Sequence, residues 1–426
     1  MIEQVASIIT KLCDYFKNNL VGARVDKEQD AAFQNLNDFL CSVGLEHINL
    51  FDVCEFIDMS ELTKKLSGFA ERAKQQEDKN NGSVKIHSET ENSTSLGIHS
   101  FASFLLALMN FSKDGKILVD HKIGVVKFVL LNPGVYFKEI VEEARSVVLA
   151  GGTMQPVAPV VQMLFPDIKD RLTVFECGHV IPDDNLLPIC LSKGPSGHEF
   201  DFTFQSRSNA KTLDSLGNFL VNLCNVVPDG IVVFYPSYAY EEQVFKHFEA
   251  NDFVRRIERK KKFYRELKSS GAGVDNVLRE YKKTIDNNFP APDRDMYYKG
   301  SMLSCVVGGK MSEGINFSDG YARCVVVVGL PFPNPNDPEL KERMSYLKTN
   351  GNDYLENLCM KAVNQSIGRS IRHANDYSSI FLLDKRYVKS TQIKSKLPKW
   401  IRSRLITCEE FGGAFSKCAQ FFTKKK

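Results

Sequence analysis

Along the first hundred or so residues, apolar side chains recur three and four positions apart. In MIEQVASIITKLCDYF and the residues after it, Val5, Ile8, Ile9, Leu12, Tyr15, Phe16 and Leu20 form one stripe, which predicts an amphipathic helix. LNDFLCSVG and the stretch around SELTKKLSGFAERAKQQ repeat the pattern, with Gly44 and Gly68 as punctuation. From about Lys74 to Ser95 large apolar residues give way to Asn, Ser, Glu and Lys, so this tract cannot form a core and is expected to be a flexible loop. From about residue 125 the texture changes to short apolar runs bounded by Gly, Pro or polar turns: VVKFVLL, SVVLAGG, GIVVFYPS, MLSCVVGG, ARCVVVVGLP and SSIFLLD. Their apolar positions are consecutive, not alternate, as in strands covered on both faces. Helical patterns such as EEQVFKHFEA and ENLCMKAVNQSIGRSIRH separate several of them. The alternation predicts an α/β fold built on an open parallel sheet, with ligands bound at the carboxyl ends of the strands.

Composition narrows this picture without redirecting it. A chain of 426 residues has room for two to three domains at roughly 150 residues each, and 43% hydrophobic with 25% charged residues is an ordinary folded composition. The longest apolar run, Phe101 to Phe111, is about half of what a membrane span needs, so no membrane partner is expected. Glu3 stands where a secretory leader would carry basic residues. Eleven cysteines are scattered without a C-x-x-C pair and read as reduced, mostly buried thiols, and no metal ligands are picked out.

Charge changes more. The net +3 hides residues 255–268, with eight basic and two acidic side chains, and residues 385–404, with eight basic and none acidic. The rest of the chain is net acidic, an asymmetry that points to a polyanion, nucleic acid first. A solvated helix face is the competing reading of either run alone. Phe263, Tyr264, Tyr387 and Trp400, interleaved among the charges, tilt the balance toward nucleic acid.

The segments after the runs share a chemistry. Gly151-Gly152-Thr153-Met154-Gln155-Pro156, Pro236-Ser237-Tyr238 and Gly308-Gly309-Lys310-Met311-Ser312-Glu313-Gly314-Ile315-Asn316-Phe317 combine glycines, which let amides approach a phosphate, with hydroxyl donors. Each alone could be a tight turn. The sharpest signal is QSIGRSIRH: on a helix at 100° per residue, Gln365, Arg369 and Arg372 fall within about 60° of each other with Gly368 beside them, and Val363, Ile367 and Ile371 lie opposite. Two guanidinium forks projecting together suit a triphosphate whose charge redistributes during transfer. An exposed basic face would not need a glycine inside the helix, at about 1 kcal/mol relative to alanine.

The set GGTMQP, VVFYPSY, GGKMSEGINFSD, VVVVGLPFPNP and QSIGRSIRH resembles motifs III to VI of the XPD-like iron-sulfur superfamily 2 DNA helicases, and more narrowly the DEAH-type ChlR cohesion helicase subgroup, whose members join AGGTMQP to GHVIP and GKMSEGINFSD. The resemblance covers the whole chain. It implies a helical arch-like insertion over residues 1–125, the carboxyl-terminal part of a first RecA-like domain over 126–175, and a complete second RecA-like domain over 176–426. It implies ATP contacts from Gly152 and Thr153 (motif III), from Glu313, Gly314 and Asn316 (motif V) and from Gly368. Gln365, Arg369 and Arg372 (motif VI) would be catalytic, with the arginines reaching the γ-phosphate. DNA contacts would come from Ser237 (motif IV) and Ser312, joined by Arg255, Arg256, Lys260, Lys261 and Lys262 from the first basic run. Asn316 stands where much of the wider family has Asp.

The resemblance further implies ATP and Mg²⁺ as cofactors of the complete enzyme, 5′ to 3′ translocation on single-stranded or forked DNA, replication and cohesion proteins as partners, and the nucleus as location. No G-x-x-x-x-G-K-[ST] and no Asp-Glu dipeptide occurs in these residues, and the cysteines that hold the family's iron-sulfur cluster have no counterpart. By resemblance the chain starts just after the DEAH box. A phosphoryl-transfer site needs a P-loop and a metal carboxylate as well as the arginines, so this chain alone is expected to hydrolyse ATP slowly if at all. The alternative function is a non-catalytic module that binds DNA or protein.

Overall fold

The computed structural model describes residues 1–21, 31–65, 91–109, 114–120, 124–165, 168–268, 271–287, 298–311, 317–347 and 351–425. The chain divides into two compact units, one of residues 1–140 with 335–348 and the other of 141–334 with 349–426.

In the first unit the stripes of MIEQVASIITKLCDYF and LNDFLCSVG form the helices Ile2–Val21 and Leu36–Val43, accompanied by Leu50–Met59 and Glu91–Met109; of SELTKKLSGFAERAKQQ, residues 66–76 lie outside the described residues. Ile8, Phe39, Val53, Leu105 and Leu108 meet in its core. The helices are joined by a three-stranded antiparallel sheet of β1 (Ala31–Gln34), β2 (Gly115–Asp120) and β3 (Val125–Leu130). VVKFVLL is therefore β3 of this small sheet and not a strand of the parallel one: it pairs with β2 from Val125↔Asp120 onward and is covered only in part. That pairing carries the unit past residue 125 to Ile140. Within the expected loop, residues 91–95 open the helix Glu91–Met109; residues 74–90 lie outside the described residues.

The helix Pro338–Leu347 also belongs to this unit, although the chain places it between two elements of the other. Lys127 pairs with Glu339, Lys116 with Glu342, and the Tyr346 hydroxyl donates to Asp114.

The second unit is built on a seven-stranded sheet in the order β10-β4-β9-β8-β5-β7-β6, every neighbouring pair parallel. Its strands are β4 (Leu186–Leu191), β5 (Gly230–Tyr235), β6 (Lys262–Arg265), β7 (Ser301–Val306), β8 (Cys324–Val328), β9 (Ser378–Leu383) and β10 (Ile406–Cys408). β5, β7, β8 and β9 coincide with four of the apolar runs, and all their residues are buried. One face, with Ile231, Val233, Val326 and Phe381, packs on the helices Ala210–Val226, Tyr238–Ala250 and Phe411–Thr423. The other, with Val232, Phe234, Val325 and Leu382, packs on Gly271–Asn287 and Gly351–Ile367. Helices on both faces of a parallel sheet make this the expected RecA-like α/β layering.

SVVLAGG forms no strand: residues 146–152 are irregular and Val148 is 84% exposed. Among the described residues no strand lies beside it, and a single extended segment cannot satisfy its own backbone. Apolar content alone does not make a strand.

Candidate nucleotide cleft and nucleic-acid contacts

The helix Gly351–Ile367 ends five residues before Arg372, the last member of the expected helical face. Gly368 N–H still donates to Asn364 O at 3.0 Å, but Arg369 N–H and Ser370 N–H donate to Ser366 O and Ile367 O, so the last turn tightens to i→i−3. Arg372 is thus off the helix, and Gly368 is a residue of its closing turn instead of its interior. The helical wheel does not reach Arg372, yet Gln365, Arg369 and Arg372 do converge. Ile371, 5% exposed, anchors the turn in the core and leaves both arginines on one side.

They line a cleft of about 540 Å³ together with Gly152, Thr153, Gly368, Lys361, His179 and Trp400. Asn364, buried beneath it, donates to Gln155 O at 3.0 Å and to Lys396 O at 2.9 Å and so fastens the GGTMQP segment to the helix. A Cβ on Gly368 would stand 3.3 Å from Asn364 O and 3.5 Å from Thr153 Oγ1; glycine allows that approach. His179 and Trp400 form an aromatic wall, ring centroids 4.6 Å apart. Burial, aided by Arg404, lowers the His179 pKa, and its Nδ1 accepts from Ile181 N–H at 3.2 Å, leaving the neutral ring's proton on Nε2.

The electrostatics ask for an anion. Burial, with Arg369 beside it, lowers the Arg372 pKa. Arg369 Nε is buried and has no hydrogen-bond partner among the described residues. A buried donor left unpaired costs on the order of 1–3 kcal/mol, and a phosphate oxygen would satisfy it. Among the described residues no carboxylate lines the cleft, and those that do line it fit phosphate and do not fit Mg²⁺. Lys361, His179 and Trp400 carry no sequence mark of a phosphate cleft. Lys361 lies one helical turn before Gln365, a spacing readable in the sequence; nothing local to GHVIP or KWIR announces the other two.

The expected nucleic-acid contacts divide. Ser237 follows β5 at the carboxyl end of the sheet, where its hydroxyl caps the helix Tyr238–Ala250 by accepting from Tyr240 N–H at 3.2 Å. Arg255–Lys262 precede and enter β6, at the amino end. Strands of six residues separate the two ends by about 20 Å. Gln365–Arg372 precede β9 and share the amino end.

Within the first basic run, Arg255 is exposed beside Asp252, 3.9 Å away, and Arg256 donates to Asn218 Oδ1 at 3.1 Å. Lys260 is half-buried, and its N–H donates to Ile257 O at 2.9 Å. Lys261 is no surface cation at all: it is 0% exposed, donates to Asp229 O at 2.7 Å and Lys299 O at 3.0 Å, and burial pushes its pKa down to about 8. It ties together the segments entering β5, β6 and β7 and cannot touch DNA. Lys262 lies over the Tyr264 ring.

The second run is largely paired within the fold: Lys385 with Glu199 and Asp201, Arg386 with Asp384, Lys396 with Asp353 and Glu356, and Arg404 with Asp183. Ser312, Glu313, Gly314 and Asn316 lie outside the described residues. Asp319, His373 and Asp376 gather their ligand atoms within 4.8 Å, but Asp376 already holds Arg323 and Asp319 already holds His373.

Comparison with known proteins agrees with the motif set. Residues 220–404 match the helicase C-terminal domain. The chain is 41% identical to the ATP-dependent DNA helicase DDX11 of Danio rerio over 92% of this chain and 48% of that protein. It is 34% identical to the ATP-dependent DNA helicase chl1 of Schizosaccharomyces pombe over 100% of this chain and 51% of that one. The chain therefore spans about half the length of these relatives. A solved XPD helicase aligns with 76% of this chain and 57% of its own at 18% identity and a TM-score of 0.48. This breadth of identity makes the chain the counterpart of the carboxyl-terminal portion of DNA helicases of the DDX11/Chl1 (ChlR) type, with a helicase C-terminal domain over residues 220–404.

Proposed function

We propose that this chain is the carboxyl-terminal part of an ATP-dependent DNA helicase, and that its cleft receives the terminal phosphates of an ATP held mainly by a P-loop half that these residues do not contain. The observation that carries the proposal is Arg369 Nε, a buried donor without a partner among the described residues, beside Arg372 in a cleft bordered by Gly152 and Thr153. When water attacks the γ-phosphorus and the bond to the β-phosphate oxygen breaks, charge shifts over the phosphoryl oxygens; the two guanidinium groups stabilise that charge, and Gln365 borders the same space. Motif IV at the carboxyl end of the sheet, and motif V beyond Met311, would contact the single strand. The 5′ to 3′ polarity, the forked substrate, roles in repair and cohesion, and a nuclear location extend this reading from the family resemblance; the relatives named above are DNA helicases.

The test needs a polypeptide that also carries the P-loop and DEAH segments. There, Arg372→Ala should reduce DNA-stimulated hydrolysis by about 10³-fold or more while ATP affinity stays within a few-fold. An unchanged turnover number would refute the finger role. The 426-residue chain assayed by itself should show little hydrolysis with or without single-stranded DNA.

A further inference from the structure

One acidic residue inside the first basic run is buried at the opposite end of the sheet from the cleft. Glu266 follows β6, is 1% exposed, and its carboxylate gathers three donors. Oε2 accepts from Val306 N–H at 3.0 Å; Oε1 accepts from Met311 N–H at 3.1 Å and from the Tyr238 hydroxyl at 2.8 Å. The Tyr238 oxygen in turn takes a backbone hydrogen bond from Lys310, and burial together with the Glu266 carboxylate pushes the Tyr238 pKa up to about 12. The turn after β7 is therefore wrapped around one carboxylate and one phenol. Gly309 sits against both: a Cβ there would lie 2.6 Å from Glu266 Oε1 and 2.7 Å from the Tyr238 oxygen, so no side chain fits while the pair is in place.

Three separate segments meet in this brace. Tyr238 adjoins Ser237 of motif IV, Glu266 follows β6, and Met311 is the last residue before Ser312–Asn316, the body of motif V. We infer that Glu266, with Tyr238, is a positioning residue that sets where motif V leaves the sheet relative to motif IV and thereby fixes the grip on single-stranded DNA. This rests on the proposed reading of motifs IV and V as strand contacts. A buried carboxylate satisfied by backbone amides is a rigid tie, because removing one acceptor leaves an amide unpaired in the interior.

The sign of the effect makes the inference testable. Glu266→Gln keeps the volume and removes a negative charge, which by long-range electrostatics alone would strengthen binding to a polyanion. Positioning requires the opposite. With the full 426-residue chain and a single-stranded oligonucleotide, Glu266→Gln should weaken affinity about tenfold at every salt concentration, leave the slope of log affinity against log salt unchanged, and speed amide exchange at Val306 and Met311. Tyr238→Phe, which loses one donor and keeps the fold, should do the same to a smaller extent and serves if the first variant does not fold. Affinity that is unchanged or improved in both variants overturns the brace while leaving the DNA reading intact. Failure of the unvaried chain to bind the oligonucleotide overturns the DNA reading itself, and the grip role with it.

Discussion

Lys261 and Arg369 are both cations with buried atoms near the amino end of the same sheet, and they do opposite things. Lys261 sits in a run of positive charge that advertises nucleic acid, yet its ammonium is sealed against two carbonyls. Arg369 sits in a stretch of ordinary charge density, yet its Nε is buried with nothing to donate to among the described residues. Density of charge in a sequence counts what is present; a ligand site is marked by what is left unsatisfied. Folding spends most of the second basic run in the same way, on Glu199, Asp201, Asp353 and Glu356.

The contrast can be broken experimentally. Its largest consequence is that Arg369→Ala, in a polypeptide carrying the P-loop half, should lower hydrolysis by about 10²-fold or more with no loss of stability, since the truncation removes an unpaired buried donor. Parallel turnover and urea-unfolding measurements decide it; a loss of stability comparable to a core truncation would show Arg369 to be structural.

The next effect is on pH. The folded-state pKa of Lys261, about 8, lies below its ordinary 10.5, so between these values the unfolded chain holds a proton that the folded one has released. Stability should therefore rise with pH across that window, by on the order of 3 kcal/mol relative to a Lys261→Met variant, whose other lysines titrate alike. Unfolding the two proteins at pH 7.5 and pH 10.5 gives the difference, and a parallel pair of curves would remove Lys261 from the interior.

Smallest, Lys261→Ala should destabilise by roughly 2 kcal/mol at neutral pH by opening a cavity under two carbonyls. Its oligonucleotide affinity should equal that of the parent. A selective loss of affinity at full stability would restore Lys261 as a DNA contact.

Parts of the fold were legible because strands buried on both faces leave an unmistakable record: GIVVFY, SMLSCV, CVVVV and SSIFLL became β5, β7, β8 and β9. The sheet's outer members left none. β6 reads KFYR because an edge strand half in solvent carries charge, β4 contains Pro188, and β10 has three residues. SVVLA misled for the opposite reason, being apolar without neighbours to pair with. The QSIGRSIRH constellation was legible as chemistry but not as geometry: hydrophobic period places Ile367 and Ile371 on the core, while the turn that swings Arg372 back depends on where the helix ends. Glu266 was invisible within its run, since one of two acidic residues among eight basic ones looks like noise until its three donors are seen.

The helix Pro338–Leu347 leaves a practical consequence for anyone who would divide this chain. Because it lies between β8 and Gly351–Ile367 in sequence but packs with residues 1–140, no single scission separates the two units. Removal of residues 1–140 alone would strand Glu339 and Glu342 without Lys127 and Lys116, inviting aggregation or proteolysis in a segment that leads directly to the motif VI helix. A clean excision has to remove residues 335–348 as well and rejoin Asn334 to Thr349 with a short polar bridge.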